Sequence, residues 1–209
     1  MTKEKRLQRI ENRLKYKQPA LQLFLDDVHS SQNLSAILRS CDGAGVLDLY
    51  YHTSDNRDLR IHKTITQGAH HWVNRTRIET EERTAFLKKK QNEGYQIVVT
   101  HLSEKAVLYQ KLDYTKPTVF VLGNEKEGVS EEVIALADEV IIIPMRGMVQ
   151  SLNVSVAAAL LLYEAQRQLE IAGKYDEPQL SLQERTKIKD EWIFRDTIAR
   201  RSKGKIPIE

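Results

Sequence analysis

Short apolar runs alternate with amphipathic segments along most of the chain. The runs LQLFL at 21–25, QIVVT at 96–100 and TVFVL at 118–122 are typical of buried strands, and the segments between them carry apolar residues at helical spacing. This alternation predicts an α/β fold with a mostly parallel sheet and helices on both faces. The predicted strands are 21–25, 46–51, 72–78, 96–100, 118–122 and 139–144, and the predicted helices are 33–45, 60–68, 80–92, 130–137 and 151–170.

Basic helices flank this alternating body. Leu7, Ile10 and Leu14 recur at helical spacing among lysines and arginines, which predicts an amphipathic basic helix that ends at Pro19. The polar segment 172–181 is typical of a linker, and it leads to a final basic helix. The predicted organisation is a basic N-terminal helix at 1–18, one main domain at 19–171, and a linker with a basic C-terminal helix at 172–209.

The charge is distributed unevenly along the chain. Residues 1–18 carry seven Lys and Arg against two Glu, and residues 183–209 carry eight Lys and Arg against five acidic residues. Because the formal net charge is +3, the stretch 19–182 has a net charge of −5. Basic ends on an acidic body favour contact between the ends and a polyanion. The alternative is that these cations only solvate exposed helix faces.

The sequence argues against a membrane or secreted protein. No apolar run approaches the roughly 20 residues that span a bilayer. The start, MTKEKRLQRIENRLKYKQ, has no apolar segment after its basic residues, so it does not resemble a secretory signal. The lone Cys41 cannot form an internal disulfide. These features predict a cytoplasmic protein.

Three loops that directly follow predicted strands carry unusual polar residues. In parallel sheets, ligands bind outside the carboxyl ends of the strands, so these loops are the candidate functional positions. The third loop is also a long connection between a buried strand and an alanine-rich helix, which indicates a shaped pocket. The loops read HSSQNLSAILRS from His29, GNEKEGVS from Gly123 and PMRGMVQSLNVS from Pro144.

The second loop does not fit a nucleotide-binding P-loop. Its glycines stand five apart, but Val129 occupies the position where a P-loop needs lysine. What remains is a tight turn that places the carboxylate of Glu125 at the end of a buried strand. The segment is also consistent with a plain helix start, in which Ser130 is the cap and Glu131 favours the helix dipole.

Ordinary helix chemistry competes with function in the other two loops. Asn33 fits an N-cap, and Arg39 fits a solvent-facing residue nearly two turns further along the helix. Ser151 also fits an N-cap. Asn153, at the second or third position of the predicted helix, is less easily explained by capping.

The sequence offers no pattern for a metal site. His70 and His71 are adjacent and therefore point in different directions, and Cys41 with the scattered remaining histidines supplies no ligand spacing. No nucleophile elbow is present either. We therefore expect no catalytic metal, and the residues alone indicate an α/β enzyme-like domain with basic ends.

Taken together, the three loops resemble the signature motifs of the SPOUT superfamily of RNA methyltransferases, in its TrmH branch. The motifs here read NLSAILRSCDGAGV, FVLGNEKEGVS and IIIPMRGMVQSLNVSVAAALLLYEAQRQ, in the order and spacing of the family. The resemblance implies a SPOUT fold with a deep trefoil knot near 118–165 and an obligate homodimer whose active site lies at the dimer interface. General rules of chain connection would not predict a knot.

The resemblance also implies a reaction and a set of site residues. The reaction is methylation of a ribose 2′-hydroxyl in tRNA by S-adenosylmethionine, with guanosine 18 of the D-loop as the target. Arg39 matches the catalytic position, and Asn33 and Glu125 match positions that support the site. Ser151 and Asn153 match positions that hold the arginine or the methionine end of the cofactor. The implied cofactor residues are Thr100, His101, Leu122, Gly123, Ile143, Met145 and Leu152.

Two roles are open for Arg39 if this resemblance holds. The arginine is either locally deprotonated, or it stabilises the developing alkoxide while a substrate phosphate assists. The basic ends would then bind tRNA phosphates, with an affinity that falls as salt rises.

Two alternative functions are also compatible with the sequence. The first keeps the chemistry and moves it to ribosomal RNA. The second is a non-catalytic RNA-binding protein with the same fold, and the presence of Asn33, Arg39, Glu125, Ser151 and Asn153 argues against it.

Overall fold

Seven strands form one sheet in the computed structural model of the protein, which describes residues 3–201. All strand pairings in this sheet are parallel, in the order β3-β2-β1-β6-β4-β7-β5. The predicted α/β class with a parallel sheet is therefore confirmed. The strands are β1 (Leu21–Asp26), β2 (Asp48–Tyr51), β3 (Asn74–Arg77), β4 (Gln96–Thr100), β5 (Val107–Leu108), β6 (Thr118–Gly123) and β7 (Glu139–Ile142).

The continuous apolar runs in the sequence belong to the centre of the sheet. Strands β1 and β6 pair from Leu21 opposite Thr118 to Asp26 opposite Gly123, and every residue of β1 is buried. A strand covered on both faces has no polar side, which is why its sequence does not alternate. Because all strands are parallel, the loops that follow them leave the sheet at one edge, which we call the carboxyl edge.

Helices cover both faces of the sheet. Helices α2 and α6 pack on one face, where Ile37 and Leu161 are fully buried, and α4 and α5 pack on the other through Leu87 and Val133. The helices are α1 (Lys3–Leu14), α2 (Ser31–Gly43), α3 (Lys63–Thr66), α4 (Arg83–Asn92), α5 (Glu131–Ile134), α6 (Val154–Ile171) and α7 (Leu182–Arg201).

The two basic helices, α1 and α7, pack against each other beside the main body. Ile10 and Leu14 of α1 are buried with Trp192 of α7 and Leu47 of the body, which confirms the predicted apolar face of the first helix. Lys17 is buried at the same junction, with its ammonium 5.4 Å from the centre of the Trp192 ring. Both basic helices are therefore anchored to the body by apolar contacts as well as by charge.

Some short elements differ from the prediction. The helix expected at 60–68 is only the four residues of α3, followed by a 3₁₀ turn at Ala69–His71. Strand β5 was not predicted, because two residues are too few to show a period, and it forms by pairing with β7. The segment 118–165, where the resemblance implies a knot, contains β6, α5, β7 and much of α6; the knot stays a prediction. Within residues 3–201, no helix is long and apolar enough to cross a membrane.

Candidate active site

A chain of hydrogen bonds joins three segments of the chain at the carboxyl edge. Nδ2 of Asn33 donates to Oε1 of Glu125, and Nδ2 of Asn153 donates to Oδ1 of Asn33 at 3.2 Å. Asn33 is 92 positions from Glu125 and 120 from Asn153 in the sequence. The fold therefore brings together three of the residues that the resemblance implicated in catalysis. We call this set the Asn33 network.

Asn33 enters the network from the first turn of α2. The N-cap of this helix is Ser30, whose hydroxyl accepts a hydrogen bond from the backbone N–H of Asn33 at 3.1 Å. The prediction that Asn33 is the N-cap is therefore wrong. Because Ser30 satisfies the backbone of the first turn, the side-chain amide of Asn33 is available to Glu125 and Asn153.

Asn153 caps α6, a role that the sequence had assigned to Ser151. The helix begins at Val154, and Oδ1 of Asn153 accepts from the backbone N–H and the hydroxyl of Ser155, at 2.8 and 2.6 Å. The predicted start at 151 is therefore wrong, because the loop continues to the residue that can cap. Ser151 is exposed in that loop and lies outside the network.

The turn after β6 presents Glu125. The backbones of Asn124 and Gly128 exchange two hydrogen bonds of 2.9 Å each, which close the turn. Gly128 has a φ of 76°, a conformation that glycine adopts without strain. A Cβ on Gly123 would lie 2.1 Å from the carbonyl carbon of Gly128. Only glycine at 123 therefore allows the turn to fold back onto the end of its own strand.

A buried carboxylate that sequence analysis missed, Asp26, ties this turn to β1. Ser130 donates to Oδ2 of Asp26 from both its backbone N–H and its hydroxyl, at 2.8 Å each, and Nδ1 of His52 lies 3.3 Å from Oδ1. Burial acts to raise the pKa of Asp26, but these contacts outweigh it, and the pKa lies below its usual value. Ser130 is the N-cap of α5 by position only, since its side chain makes no capping bond, so that detail of the prediction is wrong. A charged residue at the end of an apolar strand is the signal that identifies Asp26.

Six of the seven residues implied to hold the cofactor lie at or just after the ends of three neighbouring strands. Strands β6, β4 and β7 are adjacent in the sheet. The hydroxyl of Thr100 donates to the carbonyl of Val121, and the backbone N–H of His101 donates to the carbonyl of Ile141, at 3.2 Å each. These bonds hold the three strand ends side by side. Leu122 and Gly123 belong to β6, Thr100 and His101 to the end of β4, Ile143 and Met145 to the segment after β7, and Leu152 to the segment before α6.

The loop between β7 and α6 is open to a ligand. Residues 144–152 make no hydrogen bond with any other residue between 3 and 201, so their backbone N–H and C=O groups are available. Apolar side chains are exposed around them: Met148 is 100% exposed, Val149 64%, and Leu102, just after β4, 70%. Exposed apolar side chains beside unpaired backbone groups are typical of a surface that binds a ligand or a partner.

Arg39 lies on a different face of α2 from Asn33. Six residues along a helix rotate a side chain by about 120° and move it about 9 Å along the axis. The Arg39 side chain is exposed and forms no hydrogen bond or ion pair with the residues that the structure describes. One copy of the chain therefore does not bring Arg39 into the Asn33 network.

The histidine pair forms a ring contact and belongs to no metal cluster that the structure describes. The rings of His70 and His71 are 4.0 Å apart and tilted by 43°, and Nδ1 of His70 lies 2.7 Å from the hydroxyl of Thr66. In residues 3–201 there is no group of three or more His, Cys, Asp or Glu side chains that could hold a metal ion.

Comparison with known proteins identifies the family. A family model described as the SpoU rRNA Methylase family matches residues 20–163, more than half of the chain. The chain belongs to the SpoU methylase family. The match covers the whole sheet, the Asn33 network and all of the implied cofactor residues, whereas α1 and α7 lie outside it.

Individual members of the SpoU methylase family resemble this chain closely. A tRNA (guanosine(18)-2′-O)-methyltransferase of Aquifex aeolicus is 46% identical over 200 residues, which cover 96% of this chain and 94% of the relative. A crystal structure described as an A. aeolicus TrmH/SpoU tRNA modifying enzyme matches with a TM-score of 0.88 at 47% identity, over 92% of this chain and 97% of the other. An AdoMet-bound rRNA methyltransferase from Sinorhizobium meliloti matches with a TM-score of 0.64 at 31% identity, over 76% of this chain and 60% of the other.

Proposed function

We propose that the protein transfers a methyl group from S-adenosylmethionine to the ribose 2′-hydroxyl of guanosine 18 in the D-loop of tRNA. Family membership and the named activity of the A. aeolicus relative support this reaction. The structural observation that carries it is the Asn33 network, which joins the first turn of α2, the turn after β6 and the N-cap of α6 at the carboxyl edge. A methyl donor and a ribose must be held together in one orientation, and converging loops on a rigid sheet provide such a place.

The chemistry of the carboxyl edge fits S-adenosylmethionine. The unpaired backbone groups of 144–152 can bond the polar edges of adenosine, and the exposed side chains of Leu102 and Met148 can cover its ring. When bound, the cofactor supplies an electrophilic methyl group on a positively charged sulfur, and the carboxylate of Glu125 provides opposite charge on the same edge. The residues proposed to hold it are Thr100, His101, Leu122, Gly123, Ile143, Met145 and Leu152.

Arg39 is the proposed catalytic residue. The reaction is an in-line displacement, so the 2′-oxygen must approach the methyl carbon from the side opposite the leaving sulfur. Arginine side chains stay protonated in proteins, which suits Arg39 to stabilising negative charge on the 2′-oxygen while a phosphate of the RNA substrate accepts the hydroxyl proton. Asn33 and Asn153 hold Glu125 and the cofactor loop in place, and Ser151 contacts the methionine end of the cofactor.

A second copy of the chain is proposed to complete the site. Helix α6 exposes Val156, Leu160 and Tyr163 at helical spacing, with 47%, 38% and 51% of each residue accessible, although its opposite face is already in the core. A helix that is apolar on both sides is typical of an interface. A homodimer built on this surface lets Arg39 of one copy act on the network of the other.

Mixing two inactive variants tests this shared site. We expect Asn33→Ala and Arg39→Ala to be inactive as homodimers, whereas a heterodimer has one site with both residues intact if the site is shared. Random mixing should then restore about a quarter of wild-type activity, because half of the dimers are heterodimers and each has one intact site. No recovery, with heterodimers present by native mass spectrometry, would place Arg39 and Asn33 in the same protomer's site.

Methyl transfer to defined RNAs tests the reaction and its substrate. The protein is incubated with labelled S-adenosylmethionine and either unmodified tRNA or ribosomal RNA transcripts, and products are mapped by nuclease digestion and mass spectrometry. We expect 2′-O-methylguanosine in the tRNA D-loop. We also expect the protein to act in the cytoplasm, where new tRNA is found. Methylation of ribosomal RNA alone would contradict tRNA as the substrate. No methylation of either RNA, with cofactor bound, would overturn the enzymatic function.

A further inference from the structure

A large open cavity lies at the other end of α2 from the Asn33 network. It encloses about 1040 Å³ between α1, the C-terminal end of α2, the 3₁₀ turn Ala69–His71 and α7, and we call it the basic groove. Gly43 in its wall is about 15 Å from Asn33 along the axis of α2. The basic groove therefore lies away from the carboxyl edge of its own copy, and none of its lining residues is among those proposed to hold the cofactor.

Unpaired cations line the basic groove. Arg9 and Arg13 stand one turn apart on α1, and Lys63 faces them from α3. None of these three side chains forms a hydrogen bond or ion pair with any residue between 3 and 201. Of the carboxylates in the lining, Asp42 is paired with Lys17 and Asp196 with Arg6, so Glu170 is the remaining one. The unpaired charged side chains of the described lining therefore carry a net positive charge.

Aromatic rings stand beside these cations. Tyr16 is 47% exposed at the groove, and its ring centre is 6.5 Å from that of Tyr175. Trp72 also lines the groove and packs edge-on against Trp192 at 5.3 Å, which fixes its position. Positive charge tracking a backbone, combined with aromatic faces on which bases stack, is the arrangement that binds single-stranded nucleic acid. A site for a simple anion needs no such rings.

We propose that the basic groove binds an unpaired nucleotide of the RNA substrate other than the nucleotide that is methylated. The flanking phosphates contact Arg9, Arg13 and Lys63, and the base stacks on Tyr16. This inference rests on the proposed function in taking the substrate to be RNA. Because the lining of the basic groove includes neither Arg39 nor any residue of the Asn33 network, the groove contributes affinity and register rather than chemistry.

The test of the phosphate contacts compares two double variants that lose the same charge. Arg9→Gln/Arg13→Gln removes two cations from the groove, and Lys88→Gln/Lys89→Gln removes two exposed cations from α4 as the matched control. Dissociation constants for an unmodified tRNA transcript are measured between 50 and 200 mM salt. The groove variant should bind at least about tenfold more weakly than the control, and its salt slope should fall by about 1 to 2, as expected for two lost phosphate contacts.

The contact between the base and Tyr16 is tested with substitutions that leave the charge of the groove unchanged. Tyr16→Leu removes the stacking surface and Tyr16→Phe keeps it. We expect the leucine variant to bind tRNA about five- to tenfold more weakly with an unchanged salt slope, and the phenylalanine variant to bind as the wild type does. Thermal unfolding of each variant confirms that it is folded, and the rate of methyl transfer at saturating tRNA should stay near that of the wild type.

The outcomes separate the groove from the reaction. If Arg9→Gln/Arg13→Gln behaves as the α4 control does, or if Tyr16→Leu binds as well as Tyr16→Phe, the basic groove does not hold a nucleotide. Methyl transfer by the wild type to the same transcript is measured in parallel. If the wild type methylates tRNA but the groove variants bind tRNA as their controls do, only the groove proposal is overturned. A wild type that needs the groove to bind tRNA but transfers no methyl group overturns the proposed function alone.

Discussion

Replacing Asn153 by aspartate or by alanine separates helix capping from the Asn33 network. Oδ1 of Asn153 accepts two hydrogen bonds from Ser155, and Nδ2 donates to Asn33. Aspartate keeps the acceptor and adds a negative charge, which is favourable at the N-terminus of α6, but it has no hydrogen to donate. Alanine loses both functions. The two variants should therefore differ in stability and agree in activity.

The size of each effect follows from the structure. Losing an N-cap costs about 0.5–2 kcal/mol, and an exposed cap belongs near the middle of that range, so Asn153→Ala should lower the melting temperature by about 2–4 °C. Asn153→Asp should melt within about 1 °C of the wild type. In that variant a carboxylate oxygen faces Oδ1 of Asn33, so two acceptors meet without a hydrogen between them and the hydrogen bond is lost. A loss of about 1–2 kcal/mol at the network corresponds to about 5- to 30-fold in the methyl-transfer rate.

Thermal unfolding and single-turnover methyl transfer at saturating cofactor and tRNA measure the two effects independently. A wild-type rate in Asn153→Asp would contradict the role of the Asn153–Asn33 hydrogen bond. A melting temperature for Asn153→Asp as low as that of Asn153→Ala would contradict the capping assignment.

Three further predictions address other parts of the molecule. Arg39→Ala should reduce methyl transfer by a factor of at least about 100 while calorimetry detects unchanged binding of S-adenosylmethionine, and near-wild-type turnover would refute the role of Arg39. Gly123→Ala should abolish cofactor binding and lower the melting temperature, because its Cβ has no space, whereas Gly147→Ala, where no atom lies within 4 Å, should melt as the wild type does. Burial raises the pKa of Cys41 from 9.0 to about 12, so its contribution to stability is complete below about pH 9 and is lost as the pH rises towards 12. Urea unfolding between pH 8.5 and 10.5 should accordingly show a steeper loss of stability in the wild type than in Cys41→Ala, and equal slopes would count against this reasoning.

The sheet was largely predictable because its central strands are covered on both faces. Such strands are mostly apolar on both faces, so β1 and β6 stand out as apolar runs. Their parallel direction also predicts that functional residues lie in the loops at the carboxyl edge, and the Asn33 network lies at this edge. The network itself could not be derived from local pattern, since its members are 92 and 120 positions apart and meet only through the order of strands.

The details that the sequence misassigned concern competition between polar side chains. Ser30 and Asn33 are both suitable N-caps, as are Ser151 and Asn153, and only the packed structure decides which one reaches the free backbone N–H groups. Asp26 was missed for a related reason. Its partner Ser130 is 104 positions away, so the position of Asp26 at the end of an apolar strand is a local signal that does not reveal its buried partners.

The central claim is that the 2′-oxygen of guanosine 18 in tRNA accepts the methyl group, and one pair of substrates tests it most directly. The first is an unmodified tRNA transcript, and the second is the same RNA with 2′-deoxyguanosine at position 18. Both are offered to the wild-type protein with labelled S-adenosylmethionine, and their binding is measured alongside. We predict methylation of the first RNA, and equal binding but no methylation of the second. Equal labelling of both RNAs would contradict the account, because the methyl group would then have gone to another atom.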